Sequence, residues 1–164
     1  MQRVTRRVGA LIALLLLAVA AIGTIFVVGM RRKSPVVQRV VRRMNKAFWN
    51  PRSMETAGTP GSYASVVHHV GRRSGTAYET PVVPVRTDDG FVIALPYGTS
   101  ADWVQNVLAA GRATITYEGE SYEVDRPEVV PTDGVDVYFG DSERTTHRAF
   151  RVDESLLLHE RGAA

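Results

Sequence analysis

The run His69-Val70-Gly71-Arg72-Arg73-Ser74-Gly75-Thr76 leads into Thr80-Pro81-Val82-Val83-Pro84-Val85, then Leu95-Pro96-Tyr97-Gly98, then Asp102-Trp103-Val104-Gln105-Asn106 and on to Gly111. It reads as two strands joined by a glycine-bounded basic turn, a third strand, a polar loop and one short helix. The turn at residues 71–75 gathers two guanidinium groups, a hydroxyl and backbone amides at one hairpin tip. Arginine forks match phosphate oxygens, and glycine-flanked turns orient N–H groups toward anions. Taken alone, these residues are more simply a solvated basic hairpin, because short basic turns are common.

Outward from this stretch, residues 63–70 have strand composition, and residues 76–86 read as one further strand. Pro81 and Pro84 confine that strand to an edge, a bulge or a kink. Thr87-Asp88-Asp89-Gly90 is a hairpin turn, and residues 91–95 form a buried strand. The helix at residues 102–110 stops at Gly111. Residues 113–117 alternate with period two, and Glu118-Gly119 turns them into a strand over residues 122–130. Residues 131–134 read as a loop, residues 135–147 as holding a short helix and residues 150–158 as the last strand. Many short strands with few helices predict a mainly β (α+β) domain built on a closed or partly open β-barrel.

The 164 residues contain no cysteine, which excludes disulfides, thiolate zinc sites and cysteine nucleophiles. Net charge is +3, with basic residues crowded into the first 46 positions and most acidic ones after position 87. That asymmetry fits a membrane-surface end better than a nucleic-acid-binding domain. Residues 8–30 are apolar and uncharged, long enough to cross a hydrocarbon core of about 30 Å. A cleaved signal peptide is the alternative, with Ala18-Val19-Ala20 as its small-residue site. The apolar run continues past that site, and positive charge follows it at once. Arg31, Arg32, Lys33, Arg39, Arg42, Arg43 and Lys46 lie downstream, against Arg3, Arg6 and Arg7 upstream. The positive-inside rule then places the downstream domain in the cytoplasm. Ser34-Pro35 opens a basic amphipathic helix whose stripe is Val36, Val37, Val40, Val41, Met44 and Phe48, ended by Asn50-Pro51. The expectation is that this stripe packs on the barrel while the arginines face lipid. The resulting organisation is an anchor over residues 1–33, a helix and linker over 34–61, and a barrel domain over 62–160.

The residues offer little self-contained chemistry. His68 and His69 are adjacent on a strand and point to opposite faces, so they cannot chelate together. His147 and His159 lack partners at useful spacing, and no metal site is expected. There is no serine elbow, P-loop or dinucleotide fingerprint, and Asp88-Asp89 reads as turn chemistry. This pattern is what a protein shows when a cofactor carries the reaction.

The ordered set of residues 71–75, Thr80-Pro81, Pro96-Tyr97-Gly98, Asp102-Trp103 and Asn106 resembles the deazaflavin-dependent nitroreductase family, over about residues 36–130. The resemblance implies a split β-barrel that binds coenzyme F420. It implies a phosphate grip at Arg72, Arg73 and Ser74, and a flanking strand at Tyr78, Glu79, Thr80, Pro81, Val82 and Val83. It also implies approach to the deazaflavin by Ala94, Leu95, Pro96 and Tyr97, and closure by Asp102, Trp103, Val104, Gln105 and Asn106. Tyr78 and Pro96-Tyr97 stand where some members carry an arginine and a serine–lysine pair, so part of the family's cationic grip is missing. Tyr138 and Phe139 are candidates for the acceptor side. The implied reaction is hydride transfer from reduced F420 to a small lipophilic acceptor, a quinone or a nitro compound, with membrane lipid and a second copy of the chain as further partners. An FMN-dependent reductase on the same barrel, and a membrane-tethered module without catalysis, are the alternatives.

Overall fold

The computed structural model describes residues 2–44 and 53–162. Its elements are α1 (Gln2–Arg31), α2 (Pro35–Met44), β1 (Ser65–Val70), β2 (Ala77–Val82), β3 (Pro84–Arg86), β4 (Gly90–Ala94), α3 (Asp102–Ala110), β5 (Arg112–Tyr117), β6 (Glu120–Pro131), a 3-10 helix (Thr132–Tyr138), α4 (Asp141–Phe150) and β7 (Glu154–Glu160).

The strands form one antiparallel sheet in the order β2-β1-β5-β6-β7-β4-β3. The two ends of that order, β2 and β3, are consecutive pieces of chain separated only by Val83. The sheet therefore curls until both of its edges are carried by the same extended segment, which makes it a split barrel. This corrects the single strand expected over residues 76–86. Proline has no N–H to give a ladder, so a segment carrying Pro81 and Pro84 does not continue along one neighbour. It leaves β1 after Val82 and joins β4 at Pro84, opposite Ile93.

Period-two alternation sends Ala113 and Ile115 of β5 inward to meet Val67, Phe91, Leu156 and Leu158. α3 lies against this interior through Val104 and Val107, both fully buried. Each such aliphatic or aromatic side chain contributes about 1.5–3 kcal/mol by leaving water. The other face of the sheet is covered at Val92 by Val135 and Phe139, from the 3-10 helix and the residue after it. Burial on both faces explains why β4 is an unbroken apolar run.

Gly111 ends α3 in the left-handed region at φ 69°, its N–H donating to the Val107 carbonyl at 2.9 Å, as its position implied. Residues 132–134, expected as loop, belong to the 3-10 helix. The following α-helix starts at Asp141, later than expected, and runs to Phe150; the last strand starts at Glu154. The Thr132 hydroxyl, buried and 3.0 Å from that of Ser155, ties the 3-10 helix to β7, a contact local turn preferences do not report.

α1 is 30 residues long, and Leu11–Arg31 is long and apolar enough to cross a membrane by length and composition. Its C-terminal end meets the domain. Phe26 stacks edge-on to Phe150 at 6.3 Å, Arg31 Nη1 donates to the Ala149 carbonyl at 3.0 Å, and Lys33 pairs with Asp153 at 3.1 Å. α2 folds back on α1, with Val37 filling the space a side chain on Gly29 would need. Its apolar stripe does not settle on the barrel as expected: Val36, Val40 and Met44 are at least half exposed. Phe48, Lys46 and the helix end at Asn50-Pro51 lie outside the described residues.

Candidate cofactor and acceptor site

The basic turn joins β1 to β2. Gly71 N–H donates to the Thr76 carbonyl and Gly75 N–H to the Gly71 carbonyl, each at 2.8 Å. Gly75 takes φ 67°, open to glycine at little cost. The tip is not a free hairpin end. Arg72 reaches α3, where its backbone N–H (3.1 Å) and Nη1 (2.9 Å) both donate to Asn106 Oδ1. Its guanidinium also lies 3.4 Å from the Asp102 carboxylate. Asn106 is 5% exposed. Because its Oδ1 accepts twice, its Nδ2 is the atom facing His69 Nδ1, at 3.2 Å. His69 must then accept at Nδ1 and carry its proton on Nε2, which donates to Thr80 Oγ1 at 3.1 Å. Burial lowers the His69 pKa most, opposed by nearby Asp102 and assisted by His68, and the network suits the neutral ring. Tyr78 stacks on that ring at 5.8 Å.

The other turn residues differ in how committed they are. Arg73 is exposed and has no hydrogen bond or ion pair among the described residues. Ser74 Oγ accepts from Thr76 N–H at 3.3 Å and lies 3.5 Å from the Tyr78 hydroxyl. Glu79 points to the opposite face, 3.3 Å from His68.

A cavity of about 700 Å³ opens beside the first turn of α3. Pro81, Val82 and Val83 form one wall, where the chain crosses between the sheet edges. Ala94, Leu95, Pro96, Tyr97 and Gly98 form another, and Ala101 and Trp103 a third. The loop between β4 and α3 is held by Leu95 N–H on the Glu154 carbonyl at 3.0 Å and by Gln105 Nε2 on the Thr99 carbonyl at 3.0 Å. Val104 lies in the core, and Thr80, Gln105 and Asn106 stand behind the walls as hydrogen-bonded supports.

Sequence reasoning missed the remaining wall. Phe26 and Met30 of α1 line the cavity together with Glu143, Thr146, His147 and Phe150 of α4. The α4 residues recur at i, i+3, i+4 and i+7, one helical face, and that spacing was the available signal. Phe139 lines the cavity as expected, whereas Tyr138 does not. His147 packs edge-on to Phe139 at 4.7 Å, and its pKa is lowered by burial against the opposing charges of Glu143 and Asp136. Among the described residues its Nδ1 is buried without a hydrogen-bond partner. Among the described residues no cluster of metal ligands occurs.

The arrangement suits a planar, anion-tailed cofactor. Apolar walls enclose a volume ordinary for small-molecule sites, and the α3 turn separating them from the basic tip carries Arg72 on its other side. Fold and site together define a split β-barrel with a cofactor-sized cavity beside a basic turn. The chain belongs to the F420H2-dependent quinone reductase family, whose model matches residues 37–144. It is thus an oxidoreductase that depends on F420. Among solved structures it is similar to one described as an F420-H2 dependent reductase, at 10% identity over 59% of this chain and 94% of that one, with a TM-score of 0.45. It is also similar to the protein Atu2129 from Agrobacterium tumefaciens str. C58, of unknown function, at 15% identity over 71% and 55% of the two chains, with a TM-score of 0.43. No match is found among curated proteins.

Proposed function

We propose that the protein is a membrane-anchored reductase that passes hydride from reduced F420 to a lipophilic quinone. The observation that carries this reading is the shared cavity: Phe26 and Met30, from the apolar helix, line the same space as Pro81–Val83, Ala94–Tyr97 and Trp103. A lipophilic acceptor leaving the bilayer along α1 would reach the reacting space without crossing water.

In this reading residues 1–33 anchor, residues 34–61 connect and residues 62–160 form the working barrel, on the cytoplasmic side. Arg73, Arg72 and Ser74 hold the cofactor's anionic groups. Arg73 is free to turn toward them, while Arg72 is preset by Asn106 and Asp102. Tyr78, Thr80, Pro81, Val82 and Val83 flank the cofactor, with Glu79 on the same strand turned away toward His68, and Ala94, Leu95, Pro96 and Tyr97 face its ring. Asp102, Trp103, Val104, Gln105 and Asn106 fix the helix start that closes the site. Reduced F420, when bound, supplies the hydride. The chain's own contribution is orientation and exclusion of water, which strengthens every polar contact inside.

The test uses the full chain in liposomes with an isoprenoid quinone in the bilayer, following F420 fluorescence as the reduced cofactor is consumed. Phe26→Trp with Met30→Trp, which narrows the lipid-side wall, is expected to slow this reaction while sparing reduction of a short water-soluble quinone. An equal rate with both acceptors, or reaction with the soluble one only, would refute the route. Protease added outside spheroplasts should leave the barrel intact, and its degradation would overturn the cytoplasmic placement.

A further inference from the structure

We infer that α2 is a membrane-surface helix, laying its exposed face on the anionic headgroups of a phospholipid bilayer. The inference rests on the membrane-anchored reading above and gives α2 a part beyond connection. Val36, Val40 and Met44 succeed one another at i+4 and form one row along the helix, 64%, 51% and 51% exposed. Arg39 and Arg43 form the neighbouring row and are exposed too. Neither arginine has a hydrogen bond or ion pair among the described residues. The row on the other flank, Val37 and Val41, is half-buried, and Val37 packs against Gly29 of α1. One side of α2 is thus partly covered, and the other presents aliphatic side chains beside two uncommitted cations.

The turn before α2 fixes where this face lies. Arg32 N–H donates to the Val28 carbonyl at 2.9 Å and Ser34 N–H to that of Gly29 at 2.8 Å, while Lys33 takes a left-handed φ of 51°. A side chain on Gly29 would fall 2.4 Å from Val37 Cγ2, so the two helices approach closely. α2 therefore starts at the level where the apolar span Leu11–Arg31 ends. At about 1.5 Å per residue, its ten residues reach about 15 Å from that point. An exposed aliphatic row flanked by arginines at the end of such a span matches a bilayer interface. There, apolar side chains enter below the headgroups and cations pair with phosphates. α2 contains no acidic residue, so a second copy of the same face would set arginine against arginine. Nucleic acid offers phosphates but nothing for the valines. Docked on lipid, α2 would hold the end of α1, with Phe26 and Met30 of the cavity wall, at the height of the headgroups.

The chain has no cysteine, so a single introduced one carries a nitroxide label without competition. Val40→Cys, labelled in the full chain, is compared in vesicles of phosphatidylcholine alone and of equal parts phosphatidylcholine and phosphatidylglycerol. Electron paramagnetic resonance reads collision of the label with a neutral water-soluble nickel chelate, present on both sides of the bilayer, and with dissolved oxygen, which concentrates in lipid. The ratio of oxygen to chelate collision is expected to rise at least about fivefold in the anionic vesicles, since each cation near such a surface is worth roughly a fivefold preference. Arg39→Gln with Arg43→Gln in the labelled chain should abolish most of that difference. An equal ratio in the two vesicles would overturn the inference, as would a difference that survives loss of both arginines. A ratio that climbs with the amount of protein per lipid would assign the face to a second copy instead. Leu15→Cys, labelled in α1, separates this failure from failure of the anchored reading. A label there open to the chelate would refute the anchor, whereas one shielded beside an accessible Val40 label would refute only the docking of α2.

Discussion

Replacing Asn106 by leucine removes the hub that joins the basic turn to the helix while nearly preserving volume. The side chain accepts from Arg72 twice and donates to His69 once. Leucine leaves the Arg72 backbone N–H and His69 Nδ1 without partners. A buried polar group stripped of its partner costs about 1–3 kcal/mol. His69 is 7% exposed and bears its loss in full, whereas the Arg72 amide lies in an exposed residue that water can partly satisfy. The expected loss is therefore about 2–3 kcal/mol, a substantial part of the stability of a domain this size. Urea denaturation of the full chain in mild detergent, followed by near-ultraviolet circular dichroism, measures it. F420 affinity should fall as well, because Arg72 is no longer preset. A loss below about 0.5 kcal/mol, the range of an ordinary surface substitution, would refute the claim that this network holds the tip. Asn106→Asp sharpens the argument. It keeps the acceptor for Arg72 but places a carboxylate against His69 Nδ1, so the His69 pKa should rise, as followed by NMR of the ring protons.

Further outcomes are expected. Arg73→Ala should weaken F420 binding about fivefold without altering stability, since one exposed charge-assisted contact is partly screened; Arg72→Ala should lower both, and identical behaviour of the two variants would remove the distinction drawn between them. Gly90→Ala should prevent accumulation of folded protein, because a Cβ there would collide with the Leu158 carbonyl and fall 2.9 Å from His159 Cα; a soluble variant of normal melting temperature would contradict the β4–β7 register. His69 and His147 are both held below the ordinary 6.5, so the unfolded chain binds more protons than the folded one as the medium acidifies. Their contribution to stability is full above the unfolded value and is lost as pH falls through it toward the folded values, and denaturation midpoints that stay level between about pH 8 and 5 would refute this.

Residue pattern alone determined the local elements of this chain. The apolar run of α1, the alternation in β5, the Asp-Gly turn before β4 and the stop at Gly111 depend on spacing and on backbone preferences that neighbouring residues set. So did the gathering of Arg72, Arg73 and Ser74 at one tip, since a turn brings its own residues together whatever surrounds it. Tertiary structure decided the rest. That residues 76–86 divide at Val83 and close the barrel depends on which strands lie at the two sheet edges, and prolines announce a break without saying where the chain goes next. Arg72, Asn106 and His69 meet because β1 and α3 lie side by side across more than thirty residues of chain. Their joining converts an apparently free arginine into a fixed one. Placing α1 and α4 on the cavity wall required long-range packing, so the apolar N-terminal helix gave no hint in its composition that it would line the site. His147 shows the same limit. With no partner at useful spacing it carried no message as a sequence position, and only folding set it against Phe139 on the cavity wall.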